Sequence, residues 1–438
     1  MTNVATTCTV AGGRALSGRV RVPGDKSISH RALMLAALAP GRSRLGGLSD
    51  GEDVAGTARA LEALGVEFSG PDVSAPEALH PPSHPLDMGN SGTTMRLLAG
   101  VLAARPWEVT LVGDQSLSRR PMDRVAVPLG AMGATVTGRG ERCRPPLVIS
   151  GGSLHGIDYI VPVPSAQVKS CVLLAGLGAT GTTVVREAVP TRRHTEELLV
   201  LAGVDVAEAD EDGAHVVRLI PGPLAPLDLD IPGDPSQAAF WSVAATVVAG
   251  SEVVVEAVYA GPGRRGFLDV LRRMGADIVE VPAGAAGAMG HCVDLHVHSA
   301  ALHGTEVQAA EITGLDEVPA LAVAAAVAEG PTVFRDVGEL RVKESDRMAG
   351  VLALLHAFGA EAEAVGDDLV VAGGARLRPA SFDAVGDHRL AMAGAVAALG
   401  AGPGESTVGS WQSVATSYRA FEAHLRALVG MGRREVGA

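Results

Sequence analysis

Six times along this chain a turn rich in Gly, Asp, Ser or Pro runs directly into a helix-like stretch of Ala, Leu and Val. The starts read PGDKSISHRALMLAALA, GNSGTTMRLLAGVLA, PSAQVKSCVLLAGLGA, PGDPSQAAFWSVAATVVA, LDEVPALAVAAAVAEG and DHRLAMAGAVAALGAG. Each is followed by a second helical stretch, closing at Gly65, Gly133, Gly203, Gly275, Gly359 and, more weakly, Gly430, and then by a short β-type run. A spacing of roughly seventy residues is too long for a solenoid repeat and suits a compact supersecondary unit. The chain thus reads as six units, each placing one helix N-terminus, with its free N–H groups and positive dipole end, at a comparable location. Those starts carry Lys26, Ser27, Arg31, Arg96, Ser165, Gln167 and Arg389.

A chain of 438 residues exceeds one comfortable core, so two domains are expected. The strongest internal match joins residues 22–42, VPGDKSISHRALMLAALAPGR, to 231–250, IPGDPSQAAFWSVAATVVAG, which gives two halves of three units with hinges near Pro23 and Pro232. The strand-like ALSGRVRV lies upstream of the first hinge and cannot bury its apolar face alone, so it is expected to join the second half. One domain would then be continuous, residues 24–232, and the other assembled from 1–23 and 233–438. The first helices are apolar on nearly every face, as internal helices should be. Short Val-rich runs such as EVTLVG, HVVRLI, SEVVVEAV, DLHVHSA and DLVVAG supply the strands. The expected fold class is α/β, with helices inside and sheets facing outward.

Hydrophobic residues at 47% and charged residues at 19% place the chain among globular proteins, and aromatics at only 3% leave the core to Ala, Val and Leu. A formal charge of -13 argues against nucleic-acid binding, so any anionic ligand must meet a local cluster of cations. Cys8, Cys143, Cys171 and Cys292 are widely scattered, with no CxxC pair and no metal-type His spacing, so no metal is expected and a reduced, cytoplasmic chain fits best. The N-terminal stretch lacks a signal-peptide pattern, and apolar runs are broken well before membrane-spanning length.

Taken singly, the polar motifs have ordinary explanations. PGDKSISHR puts Lys26 and Ser27 at a helix start and Arg31 one turn inside, which suits a phosphate or carboxylate but also a simple Ser cap; it is no Walker loop, since GxxxxGK[ST] is absent. In GNSGTTMR, Gly92 permits close backbone approach while Asn90, Ser91 and Thr93 can cap or bind. LSRRPM offers Arg119 and Arg120, of which one is expected to face solvent. PSAQVKS gives Ser165, Gln167 and Lys169, and TRRHTEE gives Thr191, Arg192 and Arg193, all compatible with plain surface polarity. RVKESDR, with Lys343, Glu344, Asp346 and Arg347, reads alone as a solvated helix face. Asp316 and Glu317 precede VPALAVAAAV as charges favourable to a helix dipole, and Asp387, His388 and Arg389 open the last apolar helix. Their joint recurrence at equivalent places in an acidic chain points instead to a cleft for polyanionic substrates.

In this order, PGDKSISHRAL, GNSGTTMRLLAG, SRRPM, SAQVKS, PGDPS, RVKESDR and DHRLAM resemble one family over essentially the whole chain, the 5-enolpyruvylshikimate-3-phosphate synthases. The resemblance implies an enolpyruvyltransferase-like, two-domain inside-out α/β barrel of six βαβαββ units, three per domain, with the active site in the interdomain cleft. It implies a cytoplasmic enzyme, expected as a monomer, that uses no metal or organic cofactor. Its substrates would be shikimate 3-phosphate and phosphoenolpyruvate, and glyphosate is expected to inhibit it.

Carried over by position, the resemblance assigns shikimate 3-phosphate to Lys26, Ser27, Arg31, Ser165, Gln167, Arg192, Asp316 and Lys343. Phosphoenolpyruvate falls to Lys26, the Gly92 backbone, Arg120, Gln167, Arg347 and Arg389. Glu344 matches the family's proton-transferring carboxylate. The chemistry then suggests Asp316 as base for the 5-hydroxyl and Glu344 as acid toward C3 of phosphoenolpyruvate, with Lys26 assisting either. Three positions depart from the pattern: Thr416 stands where many relatives carry a Lys, Ala166 offers only its backbone N–H where some have Ser, and Leu97 replaces a Pro beside the Gly92 loop. Two rival readings are an enolpyruvyltransferase for a UDP-linked amino sugar, whose reactive loop normally carries a Cys or Asp, and a non-catalytic anion-binding scaffold on the same repeats. GDQSLSRRP contains no Cys.

Overall fold

A computed structural model describes residues 6–283, 289–312 and 314–431. The six Ala-rich segments are helices α1 (Lys26–Leu38), α2 (Gly92–Ala103), α3 (Ala166–Gly176), α4 (Pro235–Val247), α5 (Val318–Val327) and α6 (His388–Gly400). All but α5, which has Pro319 in its first turn and no side-chain cap, have starts fixed by side chains that take up the otherwise unbonded N–H groups of that turn. Asp25 accepts from Ile28 N, Ser91 from Thr94 N, Ser165 from Val168 N, Asp234 from Ser236 N, and Asp387 from Arg389 N and Leu390 N. The helices are buried on nearly all faces; in α5 every residue from Val318 to Ala326 is buried.

The four-stranded sheets repeat one order. A short strand lies parallel to the strand that follows the inner helix, and a hairpin pairs antiparallel on its other side. Leu86–Asp87, Glu108–Val112, Arg144–Ser150 and Thr135–Arg139 follow this rule around α2, and Asp158–Val161, Thr183–Glu187, Ala214–Ile220 and Asp205–Glu211 follow it around α3. Alternation along these strands puts Val and Leu inward, as in Arg144–Ser150, where Leu147 and Ile149 are buried. The outer helices end near the Gly residues expected; Gly133, for example, caps Asp123–Met132 with φ of 112°.

The chain divides into two compact units, one of Gly24–Ile231 and one built from the residues up to Pro23 and the segments beginning at Pro232 and Gly290. Two strands explain the division. Ser17–Arg21 precedes α1 yet pairs parallel with Glu252–Tyr259, the strand after α4. Reciprocally, Asp228–Asp230 precedes α4 yet pairs parallel with Gly41–Gly46, the strand after α1. The continuous unit thereby completes three four-stranded sheets beside a short two-stranded one, and the other unit completes three sheets.

The sixth unit differs from the sequence reading. Gly430 does not close a helix but lies within Phe421–Met431, and the β-type run expected after it falls outside the described residues. Its place in the sheet is taken by the chain's other end: Cys8–Ala11 pairs antiparallel with Glu405–Gly409, which in turn lies parallel to Ser381–Asp383. The scarce aromatics gather here. Trp241 of α4 stacks on Phe421 with centroids 4.6 Å apart and donates from Nε1 to Tyr418 Oη at 2.9 Å.

Candidate functional site

In the continuous unit the N-termini of α1, α2 and α3 are knitted together by buried hydroxyls. His30 Nδ1 lies 2.7 Å from Thr57 Oγ1, Thr57 Oγ1 lies 2.7 Å from Thr94 Oγ1, and Thr94 Oγ1 donates to Ser91 Oγ at 2.7 Å. Burial, helped by nearby cations though opposed by Asp53, pushes the His30 imidazole down to about 3, so the ring is neutral. Arg31, 1% exposed, donates from Nη1 to Ser27 Oγ at 2.7 Å and to Ser27 O at 2.9 Å. Its Nη2 reaches Ser170 Oγ at 2.7 Å and its Nε reaches Thr195 Oγ1 at 2.8 Å. The resemblance assigns Arg31 to shikimate 3-phosphate; the fold buries most of it, bonded to Ser27 and to Ser170 of α3.

Lys26 remains half-buried, and its Nζ lies 3.0 Å from Asp53 Oδ2. Around Gly92 the predicted anion groups do converge. Arg96 Nη1 donates to Gln167 Oε1 at 2.6 Å, and Gln167 Nε2 donates to Thr93 Oγ1 at 2.9 Å. Arg120 Nη2 donates to Asn90 Oδ1 at 2.8 Å. Among the described residues no carboxylate pairs with Arg120, so its charge is not neutralised by an ion pair. A Cβ added to Gly92 would stand 3.3 Å from both Arg120 Nη1 and Arg96 Nη1, so two guanidinium groups crowd the side of the first residue of α2 where a side chain would project. Arg119 is the exposed member of its pair.

Ser165 caps α3, with Ala166 and Gln167 half-buried beside it. Arg192 is half-buried in the turn before the helix His194–Leu201, and its neighbour Arg193 is held by Glu208 at 2.8 and 2.6 Å. Lys169 corrects the surface reading: it is fully buried, 2.6 Å from Glu187 and 2.7 Å from Glu196.

The second unit gathers the acids. Arg347 is fully buried and acts as a hub: Nε donates to Asp387 Oδ2 at 2.9 Å, Nη2 to Glu344 Oε2 at 2.5 Å, and Nη1 lies 3.5 Å from Asp316 Oδ1. Arg389 Nη2 lies 3.3 Å from Asp316 Oδ2. Burial opposes the Arg347 charge, but Glu344, Asp387 and Asp316 outweigh it and hold the guanidinium above its usual range. Burial likewise works against ionised Asp387, yet Arg347 and His388 keep it below the usual carboxylate range. RVKESDR is therefore not a solvated helix face: Lys343 to Asp346 form the link between the turn Gly338–Val342 and the helix Arg347–Ala357. Lys343 pairs with Glu339 at 2.9 Å. Thr416 ends the turn Trp411–Thr416, and among the described residues no hydrogen bond ties its side chain to this cluster.

Sequence reasoning missed Asp53, Glu187, Glu196 and Arg264. Arg264 is buried against Asp234 at 2.8 Å and Glu317 at 3.5 Å, while Ser236 donates to Glu317 at 2.5 Å, bracing the residue next to Asp316. No residue spacing could have revealed these pairings, because each joins elements far apart in sequence. The described residues contain one group with metal-compatible geometry, Glu196, Glu208 and His215. Lys169 and Arg193 already neutralise its carboxylates. All four cysteines are free.

The model for the family described as EPSP synthase (3-phosphoshikimate 1-carboxyvinyltransferase) matches residues 10–425. A 3-phosphoshikimate 1-carboxyvinyltransferase of Gloeobacter violaceus is 48% identical over 422 residues, covering 94% of this chain and 96% of the relative. One of Desulforudis audaxviator is 47% identical over 405 residues, covering 90% and 93%. The solved EPSP synthase of Acinetobacter baumannii superposes with a TM-score of 0.84 at 37% identity, over 97% of this chain and 98% of the other. The enolpyruvyl transferase NikO of Streptomyces tendae, at 20% identity and a TM-score of 0.77, shares the fold.

Proposed function

The chain belongs to the EPSP synthase (3-phosphoshikimate 1-carboxyvinyltransferase) family, and from that premise we propose how its residues divide the reaction. The enzyme transfers the enolpyruvyl group of phosphoenolpyruvate to the 5-hydroxyl of shikimate 3-phosphate and releases phosphate, a step in aromatic amino acid biosynthesis. The observation that carries the division of labour is the contrast between the two clusters. Cations and amide donors gather around Gly92, while Arg347 gathers three carboxylates.

Phosphoenolpyruvate is taken by the first turn of α2, Arg120 and Gln167, with Lys26 beside them. Shikimate 3-phosphate is taken by Ser27, Ser165, the Ala166 N–H and Arg192, with Arg31 fixing Ser27 from below. Asp316 accepts the 5-hydroxyl proton as that oxygen attacks C2, and Glu344 delivers a proton to C3. The tetrahedral intermediate then loses a C3 proton to Glu344 and expels phosphate, which restores the enol ether. One guanidinium, Arg347, touches both carboxylates, so the two proton carriers are set within one hydrogen-bond network. Arg389 and Lys343 complete the substrate contacts on this side. Turnover requires water to be excluded from the reacting groups, since it would otherwise compete with the 5-hydroxyl. The cap formed by Asp114, which accepts from Leu117 N and Asn90 Nδ2, occupies the only acid in GDQSLSRRP with structural work. This weighs against the UDP-sugar reaction.

A coupled assay for inorganic phosphate tests the reading. Release should require both substrates and be almost abolished in Lys26→Met. Binding of shikimate 3-phosphate without phosphate release would overturn it in favour of a scaffold. Glyphosate should slow initial rates at limiting phosphoenolpyruvate, since an anion of that kind would compete for the guanidinium groups of Arg96 and Arg120 beside Gly92. Unchanged rates at saturating inhibitor would reject that part.

A further inference from the structure

Lys169, Glu187, Glu196 and Thr191 form a buried cluster that does not belong to the substrate contacts. Lys169 Nζ lies 2.6 Å from Glu187 Oε2 and 2.7 Å from Glu196 Oε1, with all three side chains fully buried. The other oxygen of Glu187 accepts from Thr191 Oγ1 at 2.5 Å, and Oε2 is 3.4 Å from Thr191 N. Glu187 ends a strand, Thr191 immediately precedes Arg192, and Lys169 is three residues past Ala166 on α3. A second seam runs alongside, where Ser170 Oγ lies 2.7 Å from Thr195 Oγ1.

We infer that this cluster is a positioning device: Glu187, clamped by Lys169, holds Thr191 so that Arg192 is set at a fixed distance from Ser165 and Ala166. The inference rests on the proposed role of Arg192 and Ser165 in holding the phosphate of shikimate 3-phosphate. The physical reason is the demand of low dielectric. One ammonium facing two carboxylates in a dry interior tolerates little displacement, because losing one partner leaves a charge uncompensated. The turn 188–193 has no regular secondary structure of its own; the Thr191 bonds tie it to Glu187, and the Glu187–Lys169 pair ties that residue to α3.

Thr191→Val removes the hydroxyl at nearly constant volume and leaves the ion cluster whole, so it should fold; Glu187→Gln is the harsher variant, and Thr191→Ser the restoring one. Steady-state kinetics on the full chain should show the KM for shikimate 3-phosphate raised about tenfold in Thr191→Val. The KM for phosphoenolpyruvate and kcat should stay within about twofold, and Thr191→Ser should return to near wild type. Equal changes in both KM values, a fall in kcat alone, or no change in Thr191→Val would overturn the inference. If Arg192→Ala has no effect on the shikimate 3-phosphate KM while the wild type turns over normally, the assignment of Arg192 falls instead, and the clamp with it. A wild type that does not turn over these substrates would refute the functional reading itself.

Discussion

At the scale of single residues, Gly92 is the position where a methyl group decides most. Its Cβ would sit 3.3 Å from Arg96 Nη1 and Arg120 Nη1, tighter than ordinary contact but against flexible side-chain ends. Gly92→Ala should therefore fold normally yet push Arg120 off the α2 terminus, raising the KM for phosphoenolpyruvate by about an order of magnitude with shikimate 3-phosphate affinity nearly unchanged. Titration of both substrates checks this. Glu344→Gln keeps the Arg347 contact but removes a proton carrier, and kcat should fall by about 10²-fold or more while both KM values hold. His30 sets a pH dependence of a different kind. Its folded pKa, about 3, is below the ordinary 6.5, so below pH 6.5 the unfolded chain binds a proton that the native one refuses. Stability from this residue is complete above 6.5 and declines as pH falls toward 3, by at most about 1.4 kcal/mol per pH unit. His30→Gln should flatten that part of a denaturation-versus-pH profile.

At the scale of elements, α2 and α3 approach so closely that a Cβ on Gly100 would stand 2.3 Å from Cys171 O. Exposed glycines inside helices normally gain about 1 kcal/mol on replacement by Ala. Here the sign reverses: Gly100→Ala must separate two backbones that carry the Gly92 and Ser165 termini, and should cost about 2 kcal/mol or more in chemical denaturation. The recurrence of polar starts and apolar helices made these elements legible, because Ala-rich segments without a polar face can only be interior. Lys169 and RVKESDR were not legible as they stand. A Lys or an Arg in sequence looks solvated until its carboxylate partners, brought by other elements, are known; Arg347 and Lys169 are both fully buried for that reason.

For the whole molecule, the two chain crossings matter more than any motif. Removing residues 6–21 would strip Ser17–Arg21 from Glu252–Tyr259 and Cys8–Ala11 from Glu405–Gly409, leaving two unpaired strand edges in one unit. Such a truncation should aggregate or fail to accumulate, as measured by soluble yield and size-exclusion profile, although it removes no residue assigned to the reaction. The six-fold recurrence, the inner helices and the residue types gathered at their starts can be read from the residues alone, because capping, periodicity and apolar patterning are local and leave a local trace. It takes the folded chain to bring Cys8–Ala11 to the sixth sheet, to bury Arg31 and Arg347 against the groups they bond, and to make Asp53, Glu187 and Glu196 partners of distant cations. Pairings of this kind depend on which chain segments share a dry interior, and desolvation makes each buried charge choose a partner that no local pattern specifies.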